Sequence, residues 1–171
     1  MRKLVLQKKM GRIRRSVQID AAAPVAGRLV PLQEVADETF SQGYLGEGLA
    51  IDPDSGYAAS PFDGIVSHIA DTKHAVLIRH ASGIQVLIHI GVNTVELQGR
   101  GFTVLVKTGE AIEQGQPLLE FDLPFIRQAG YSPFAIVIAI KDPLIDAVNC
   151  EYRSVRMAEP DVFRIVLKQD H

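Results

Sequence analysis

The 171-residue sequence has one cysteine, no tryptophan and no apolar run long enough to cross a bilayer. Cys150 stands in "AVNCEY" without a companion motif, so it excludes an internal disulfide and a thiolate metal cluster. Apolar runs are short and are broken by glycine, proline or charge, whereas a membrane helix needs about 20 apolar residues. The N-terminus also lacks the apolar segment and cleavage site of a signal peptide. The sequence therefore predicts a cytoplasmic protein.

Acidic residues are absent from residues 1–15, which carry seven lysine and arginine side chains. The remaining residues hold 11 basic and 20 acidic side chains, a balance of −9, which excludes nucleic acid and favours a basic protein partner. Apolar side chains recur near the N-terminus at helical spacing, at Leu6, Met10, Ile13 and Val17. Two hypotheses stay open for residues 1–17: a solvated basic leader, or a helix that touches anionic lipid. We expect a single domain over residues 18–171.

Beyond residue 17 the pattern is one of short β-branched runs separated by turn residues, such as "HAVLIRH", "IQVLIHIG" and "FAIVIAIKD". This pattern is typical of an all-β protein, and we predict an antiparallel β-sandwich or barrel. Helix is expected only as short turns. The best candidate is "LPFIRQAG" (123–130), which Gly130 would end.

A weak internal repeat aligns residues 22–30, "AAPVAGRLV", with residues 59–67, "ASPFDGIVS". Proline fixes φ and glycine three residues later permits a left-handed turn, so each copy predicts a sharp start to a strand. Two copies of one supersecondary unit are expected. A later segment, "VKTGEAIEQGQPLLEF", resembles the loop of biotinyl and lipoyl carrier domains, but no lysine stands where such a carrier is modified.

Two of the five histidines, His74 and His89, flank a predicted β-hairpin that turns around "HASG". A three-residue loop (81–83) places them on opposite faces, whereas a four-residue loop (80–83) places them directly opposite each other. We predict the four-residue loop, with Gly83 closing it.

Two facing imidazoles on an apolar strand suggest either a metal site or a nucleophile with a helper. An apolar wall favours the neutral imidazole, whose free ring nitrogen can attack an electrophile. A zinc peptidase of the LytM type requires an HxH pair, which is missing, so the two histidines could hold only adventitious zinc.

The chain resembles the glucose-family IIA domain of the bacterial phosphoenolpyruvate:sugar phosphotransferase system over about residues 20–141. The motifs that carry the resemblance occur in order: "APVAGRLVPLQEVADETFS", "LGEGLAIDP", "SPFDGIVSHIADTKHA", "VLIHIGVNTVELQGRGF", "VKTGEAIEQGQPLLEFDLPFI" and "FAIVIAI". The resemblance implies a β-sandwich with a duplicated hybrid motif. It also implies a phosphocarrier that takes a phosphoryl group from the protein HPr and passes it to a cysteine of a IIB domain, without a bound cofactor.

The resemblance assigns roles to three residues: His89 as the nucleophile, His74 as a hydrogen-bond donor to the phosphoryl oxygens, and Thr72 as support for His74. It implies that Gly91 leaves a backbone N–H free beside the phosphoryl group. It further implies a docking face formed by Asp37, Phe40, Tyr44, Leu45, Leu87, Gly91, Asn93 and Glu96.

Two residues depart from the family pattern. Asn93 in "GVNTV" replaces the family aspartate, and Glu47 makes "GEG" of the family "GDG". A neutral Asn93 should weaken an ion pair with the carrier. Alternatives to the phosphocarrier are a zinc-dependent hydrolase of related β architecture and a non-catalytic regulatory binder of the IIA fold.

Overall fold

The computed structural model describes residues 2–9 and 12–169, with side chains from residue 17 onward, as a mainly antiparallel β protein. Its strands are β1 (Arg2–Lys9), β2 (Arg12–Ala21), β3 (Gly27–Pro31), β4 (Gly46–Pro53), β5 (Tyr57–Ala59), β6 (Gly64–Ile69), β7 (Ala75–His80), β8 (Gln85–Ile90), β9 (Phe102–Val104), β10 (Ala111–Ile112), β11 (Pro117–Phe121), β12 (Ala135–Ile140), β13 (Ile145–Cys150), β14 (Ser154–Val155) and β15 (Phe163–Leu167).

Helix is confined to short pieces, as the sequence predicts. The described residues contain two short α-helices, α1 (Glu38–Ser41) and α2 (Leu123–Gln128), and 3₁₀ turns at Leu32–Glu34 and Thr94–Leu97. An aspartate caps each α-helix: Asp37 accepts the N–H of Thr39, and Asp122 accepts the N–H of Phe125. The α2 helix occupies the predicted segment, and Gly130 follows it at φ 89°.

The strands form three sheets. The eight-stranded sheet has the order β10-β6-β7-β8-β12-β4-β3-β14, the four-stranded sheet β1-β2-β15-β13, and the three-stranded sheet β5-β11-β9. All their strand pairs are antiparallel. The main core contains buried residues from all three sheets, among them Ile19, Ile88, Phe121 and Phe163. The predicted all-β sandwich is confirmed.

The eight-stranded sheet is apolar on both faces. Ile88 and Val137 point into the main core, whereas Ile136 and Ile138 belong to a second cluster on the opposite face. This second face is covered by residues 32–45, which contribute Leu32, Val35 and Phe40. The candidate site lies on this second face.

The predicted repeat is present as a reciprocal pair of hydrogen bonds. The N–H of Ala22 donates to Pro61 O, and the N–H of Ala59 donates to Pro24 O, both at 2.8 Å. Each copy then leads into a strand, β3 or β6. The left-handed turn expected at both glycines is wrong for Gly64, whose φ is not positive. A Cβ there would lie 2.4 Å from the Arg79 carbonyl oxygen, so close approach explains that glycine.

The structure extends the repeat to a second pair of segments, 110–116 and 153–159, which the sequence analysis missed. The N–H groups of Val66 and Leu29 donate to Glu110 O and Arg153 O, and those of Ser60 and Ala23 donate to Gln116 O and Glu159 O. The turn inside each segment carries a left-handed residue, Gly115 (φ 84°) in one copy and Ala158 (φ 62°) in the other. The two segments, "EAIEQGQ" and "RSVRMAE", have no identical residue at equivalent positions, so sequence comparison does not reveal this likeness.

Residues 2–9 and 12–17 lie in β-strands and not in the helix considered above. β1 pairs with β2 from Arg2↔Ile19 to Lys9↔Arg12, and β2 pairs in turn with β15 over Val17–Ala21. The boundary predicted after residue 17 therefore falls inside β2. Of the residues in the expected helical face, Met10 lies outside the described residues.

Candidate functional site

His89 lies near the end of β8 on the outward face of the eight-stranded sheet. Leu87 and His89 are half-buried, whereas Val86, Ile88 and Ile90, which alternate with them, are fully buried. Phe40 of α1 packs against the His89 ring with centroids 4.9 Å apart. The imidazole therefore belongs to the second face and not to the main core.

The hairpin register predicted from the four-residue loop is wrong. β7 pairs with β8 through Ala75↔His89 and Arg79↔Gln85, and the N–H of His80 donates to Ile84 O. The loop therefore has three residues, 81–83. Gly83 closes it at φ 91°, which is the usual left-handed position of a three-residue hairpin loop.

The two histidine rings nevertheless touch. Their centroids are 4.7 Å apart and their planes meet at 86°. His74 directly precedes β7 and follows Lys73, whose left-handed φ is 64°, so strand alternation does not fix the direction of its side chain. The two rings are in contact as predicted, although the strand register on which that prediction rested is wrong.

Thr72 holds the His74 ring. The Thr72 Oγ1 lies 2.8 Å from His74 Nδ1, and His74 is only 7% exposed. Burial lowers the pKa of His74, while a hydrogen bond with the Thr72 backbone acts in the opposite direction. His74 is therefore held in one orientation and favours the neutral form.

His89 is neutral at physiological pH because its pKa is lowered to about 4. Burial is the main cause, and the neighbouring His74 lowers the pKa further; the Gly91 backbone and the Asp37 carboxylate raise it in part. Its Nδ1 is buried, and no described residue meets it with hydrogen-bonding geometry, although the Gly91 backbone is close enough to affect its titration. Nε2 is thus the ring nitrogen left to meet a reaction partner.

The predicted docking residues on the α1 side surround this ring pair unevenly. Phe40 is buried, Leu45 and Leu87 are half-buried against the second cluster, and Tyr44 is 64% exposed. Asp37 caps α1, and its charge acts on His89. The α1 side therefore combines an apolar surface with one carboxylate near His89.

The other predicted docking residues lie just beyond β8. Asn93 is exposed in a left-handed conformation (φ 60°) before the 3₁₀ turn that carries the exposed Glu96. The expectation that Gly91 offers a free N–H is wrong, because that N–H donates to Phe134 O at 2.8 Å. Gly91 is required for a different reason: at φ 86°, a Cβ would lie 2.3 Å from Thr94 Cγ2.

Other residues near the site were not identified from the sequence. Thr94 is fully buried and donates its hydroxyl hydrogen to Ile90 O at 2.5 Å, and the Phe102 ring lies 6.3 Å from that of His74. Both stand in the motif "VLIHIGVNTVELQGRGF", but nothing in the sequence distinguishes them from its other residues. Glu47, singled out as a family departure, accepts the N–H of Val148 with its carboxylate.

The remaining histidine and thiol candidates lie elsewhere. His80 packs against Phe62 with ring centroids 5.0 Å apart and has Ser82 Oγ 2.9 Å from its Nδ1. Burial raises the pKa of Cys150. Within residues 2–9 and 12–169, no three His, Cys, Asp or Glu side chains are grouped to hold a metal ion.

No helix in the described part of the chain combines the length and apolar character needed to span a membrane.

Comparison with known proteins gives a consistent result. Residues 19–143 match the family model described as "phosphoenolpyruvate-dependent sugar phosphotransferase system, EIIA 1". The "PTS system glucose-specific EIIA component" of Oceanobacillus iheyensis is 35% identical over 150 residues, covering 87% of this chain and 91% of the relative. The "PTS system glucose-specific EIICBA component" of Staphylococcus carnosus is 41% identical over 68% of this chain and 17% of its own length.

The fold agrees with these matches. The glucose permease IIA of Mycoplasma capricolum superposes with a TM-score of 0.76 at 28% identity, covering 85% of this chain and 95% of that one. The family match spans well over half of the chain and includes both histidines of the site. The chain therefore belongs to the glucose-type EIIA family, the phosphohistidine-carrying IIA components of the sugar phosphotransferase system.

Proposed function

We propose that His89 is the residue that carries the phosphoryl group, which it receives from HPr and passes to a cysteine of a IIB domain. The observation that carries the proposal is the His89 ring itself: neutral, half-buried on an apolar face, and in contact with a second imidazole. The family works with the IIB and IIC domains of sugar permeases, and the Staphylococcus carnosus relative is named as an EIICBA component.

The chemistry is an exchange of phosphorus bonds. Nε2 of neutral His89 attacks the phosphorus of phosphorylated HPr, forming an N–P bond as the donor's N–P bond breaks and its imidazole leaves. In this step the proton of neutral His89 stays on the buried Nδ1. In the second step a IIB thiolate attacks the same phosphorus, and the electron pair of the N–P bond returns to Nε2. Neither step requires a nucleotide or a metal ion.

His74 assists by donating a hydrogen bond from Nε2 to a phosphoryl oxygen. This requires that its Nδ1 accept a hydrogen bond, which the Thr72 hydroxyl 2.8 Å away can donate. Thr72 thus holds the ring of His74 in one orientation, and its hydroxyl is able to support the tautomer that carries the proton on Nε2. Alignment and charge stabilisation provide most of the rate enhancement in phosphoryl transfer, so such a donor is valuable.

The apolar surface around His89 serves as the docking face for both partners. Phe40, Leu45 and Leu87 exclude water from the phosphohistidine when a partner is seated, which protects it from hydrolysis. Asp37 and Glu96 add negative charge at the rim and favour a basic carrier. The exposed Tyr44 and Asn93 complete the proposed contact surface.

We further propose that the basic strands β1 and β2 give this carrier a peripheral contact with an anionic membrane. Seven lysines and arginines in residues 1–15, without an acid, provide the charge. Sedimentation with phosphatidylserine vesicles should capture the wild type at low salt and release it when Lys3, Lys8 and Lys9 are replaced by glutamine. Equal capture of both proteins would refute this contact.

The central test supplies the chain with phosphoenolpyruvate, enzyme I and HPr and measures intact mass. We expect one acid-labile phosphoryl group on the wild type and none on His89→Ala, because the nucleophile is lost. His68→Ala is the matched control: it removes an exposed histidine from neighbouring β6 and should be labelled like the wild type.

His74→Ala should still accept the group but transfer it to IIB more slowly, by roughly ten- to a hundredfold, since only a positioned donor is lost. Labelling of His89→Ala would overturn the assignment of the nucleophile. A wild type that stays unlabelled would instead indicate a regulatory binder, and chelator-sensitive hydrolytic activity would indicate the zinc hydrolase.

A further inference from the structure

We infer that Thr94 is a positioning residue whose hydroxyl allows His74 to lie on the same face of the sheet as His89. The inference rests on the proposed role of His74 in phosphoryl transfer. Thr94 touches neither imidazole in the described contacts, and it lies in the 3₁₀ turn that follows β8. Thr94 affects the position of His74 through the backbone hydrogen bonds at the last residue pair of the β7–β8 ladder.

His74 and Ile90 are directly opposite each other in the β7–β8 register, one step beyond the Ala75↔His89 pair. In a regular antiparallel ladder they would exchange two backbone hydrogen bonds, and the His74 side chain would point to the same face as Ile90, away from His89. Only one bond is made: the N–H of Ile90 donates to His74 O at 2.8 Å. The return bond from the His74 N–H to Ile90 O is not among the backbone hydrogen bonds at this pair.

Thr94 takes the place of the missing donor. Its Oγ1 donates to Ile90 O at 2.5 Å, and the side chain is completely buried. Burying a carbonyl oxygen without a hydrogen-bond donor costs free energy. Without the Thr94 hydroxyl, Ile90 O would therefore favour a hydrogen bond from the His74 N–H, which is the bond of a regular ladder. The Thr94 hydroxyl satisfies Ile90 O and so removes this preference. His74 can then follow the left-handed Lys73 and turn its ring to within 4.7 Å of the His89 ring.

The position of Thr94 is itself fixed by the turn. Its Cγ2 lies where a side chain on Gly91 would have to be, at 2.3 Å from a Cβ built there. The N–H of Gly91 is tied to Phe134 O and that of Val92 to Ser132 O. The hydroxyl therefore has little freedom to leave Ile90 O, and it acts as a fixed substitute for the ladder bond.

A measurement on the wild-type protein tests the geometry without any substitution. Scalar couplings across hydrogen bonds in a deuterated, ¹⁵N,¹³C-labelled sample should connect the Ile90 nitrogen to the His74 carbonyl carbon. They should not connect the His74 nitrogen to the Ile90 carbonyl carbon. A coupling in that second direction would show an intact ladder and overturn the inference, whether or not His89 carries the phosphoryl group.

Two variants test the consequence for transfer. Thr94→Val keeps the methyl group but loses the donor, so onward transfer to IIB should fall to the level of His74→Ala while acceptance by His89 persists. Thr94→Ser keeps the donor and should transfer within about twofold of the wild type. The double variant Thr94→Val/His74→Ala should be no slower than His74→Ala alone, because both substitutions remove the same contribution, that of the correctly placed His74 ring.

Wild-type transfer by Thr94→Val, equal losses in Thr94→Ser and Thr94→Val, or multiplied losses in the double variant would each contradict the inference. These outcomes are distinct from a failure of the proposed function, which would appear as labelling of His89→Ala.

Discussion

At the scale of single residues, His89 has an unusual environment for a titratable group. Phe40 covers one side of its ring, His74 meets another, and the buried Nδ1 has no partner in hydrogen-bonding geometry among the described residues. Each of these features disfavours an imidazolium. The same environment that prepares Nε2 for attack therefore costs stability whenever the solvent favours protonation.

This cost predicts how stability depends on pH. The pKa of His89 is about 4 in the folded protein and about 6.5 when unfolded, so between these values the unfolded state binds one more proton. The free energy of unfolding therefore has its full value, with respect to His89, above pH 6.5. It falls by up to about 3 kcal/mol as the pH is lowered towards 4. Denaturant unfolding of wild type and His89→Gln from pH 7.5 to 4.5 measures it. If the free energy of unfolding depended on pH in the same way for both proteins, the pKa of His89 would not be lowered in the folded state.

The sequence predicted which of these residues lie together better than it predicted their geometry. His74, His89 and Thr72 stand in motifs that can be read directly, and they meet as expected. The face on which His74 lies could not be derived, because it depends on which bonds form at the His74:Ile90 pair. Those bonds depend on a hydroxyl four residues beyond Ile90.

At the scale of elements, segments 110–116 and 153–159 form the same backbone turn with a different residue at its left-handed position. Gly115 and Ala158 both adopt positive φ, and a Cβ added to Gly115 would lie 3.3 Å from the Cβ of Ala158. Glycine accepts this conformation without strain, whereas alanine does not. The C-terminal copy therefore carries backbone strain that its partner avoids.

Relieving that strain should stabilise the protein. We expect Ala158→Gly to raise the free energy of unfolding by about 0.5–1 kcal/mol, since left-handed strain exceeds the entropy that glycine adds to the unfolded chain. The matched change Gly115→Ala should lower it by about 1–2 kcal/mol, because alanine is strained there and meets the Ala158 methyl. Urea titrations of the three proteins check both signs. A destabilised Ala158→Gly would indicate that the methyl contributes more by packing than it costs in strain.

Element types were predictable where the local pattern was strong. The strand runs, the α2 segment and the first half of the repeat follow from β-branched runs, capping residues and paired Pro and Gly. The hairpin loop was not, because Gly83 fits the end of a three-residue or a four-residue loop equally well. The strands β1 and β2 were missed because apolar residues recur there at helical spacing, and the pairing of β2 with β15 is far away in the sequence.

At the scale of the whole molecule, charge is separated between the N-terminal segment and the rest of the chain. The seven basic side chains of residues 1–15 oppose a balance of −9 in the remainder. Asp37 and Glu96 place part of that negative charge beside the proposed docking face, while Asn93 contributes none. A carrier with basic side chains should therefore be steered by long-range attraction that is weaker than an aspartate at position 93 would give.

Restoring that charge should speed acceptance from HPr. In Asn93→Asp we expect the second-order rate of phosphorylation to rise by roughly fivefold at low ionic strength, equivalent to about 1 kcal/mol, and to approach the wild-type rate above about 0.5 M salt. Asp tolerates the left-handed conformation that Asn93 adopts, so the fold should be unchanged. Asn93→Ser serves as the neutral control. A rate in Asn93→Asp that is unchanged at low salt would show that position 93 lies outside the encounter surface.

The hydrogen bonds of the repeat also join segments that are far apart in the sequence. The copy at residues 59–66 is completed by residues 110–116, but the copy at 22–29 is completed only by residues 153–159. The family match ends at residue 143, before the segment that the first copy needs. A fragment cut to the shared family span would keep both histidines yet leave the N–H groups of Ala23 and Leu29 without their acceptors. The span of the family model is therefore shorter than the span of chain that the hydrogen bonds of the repeat tie together.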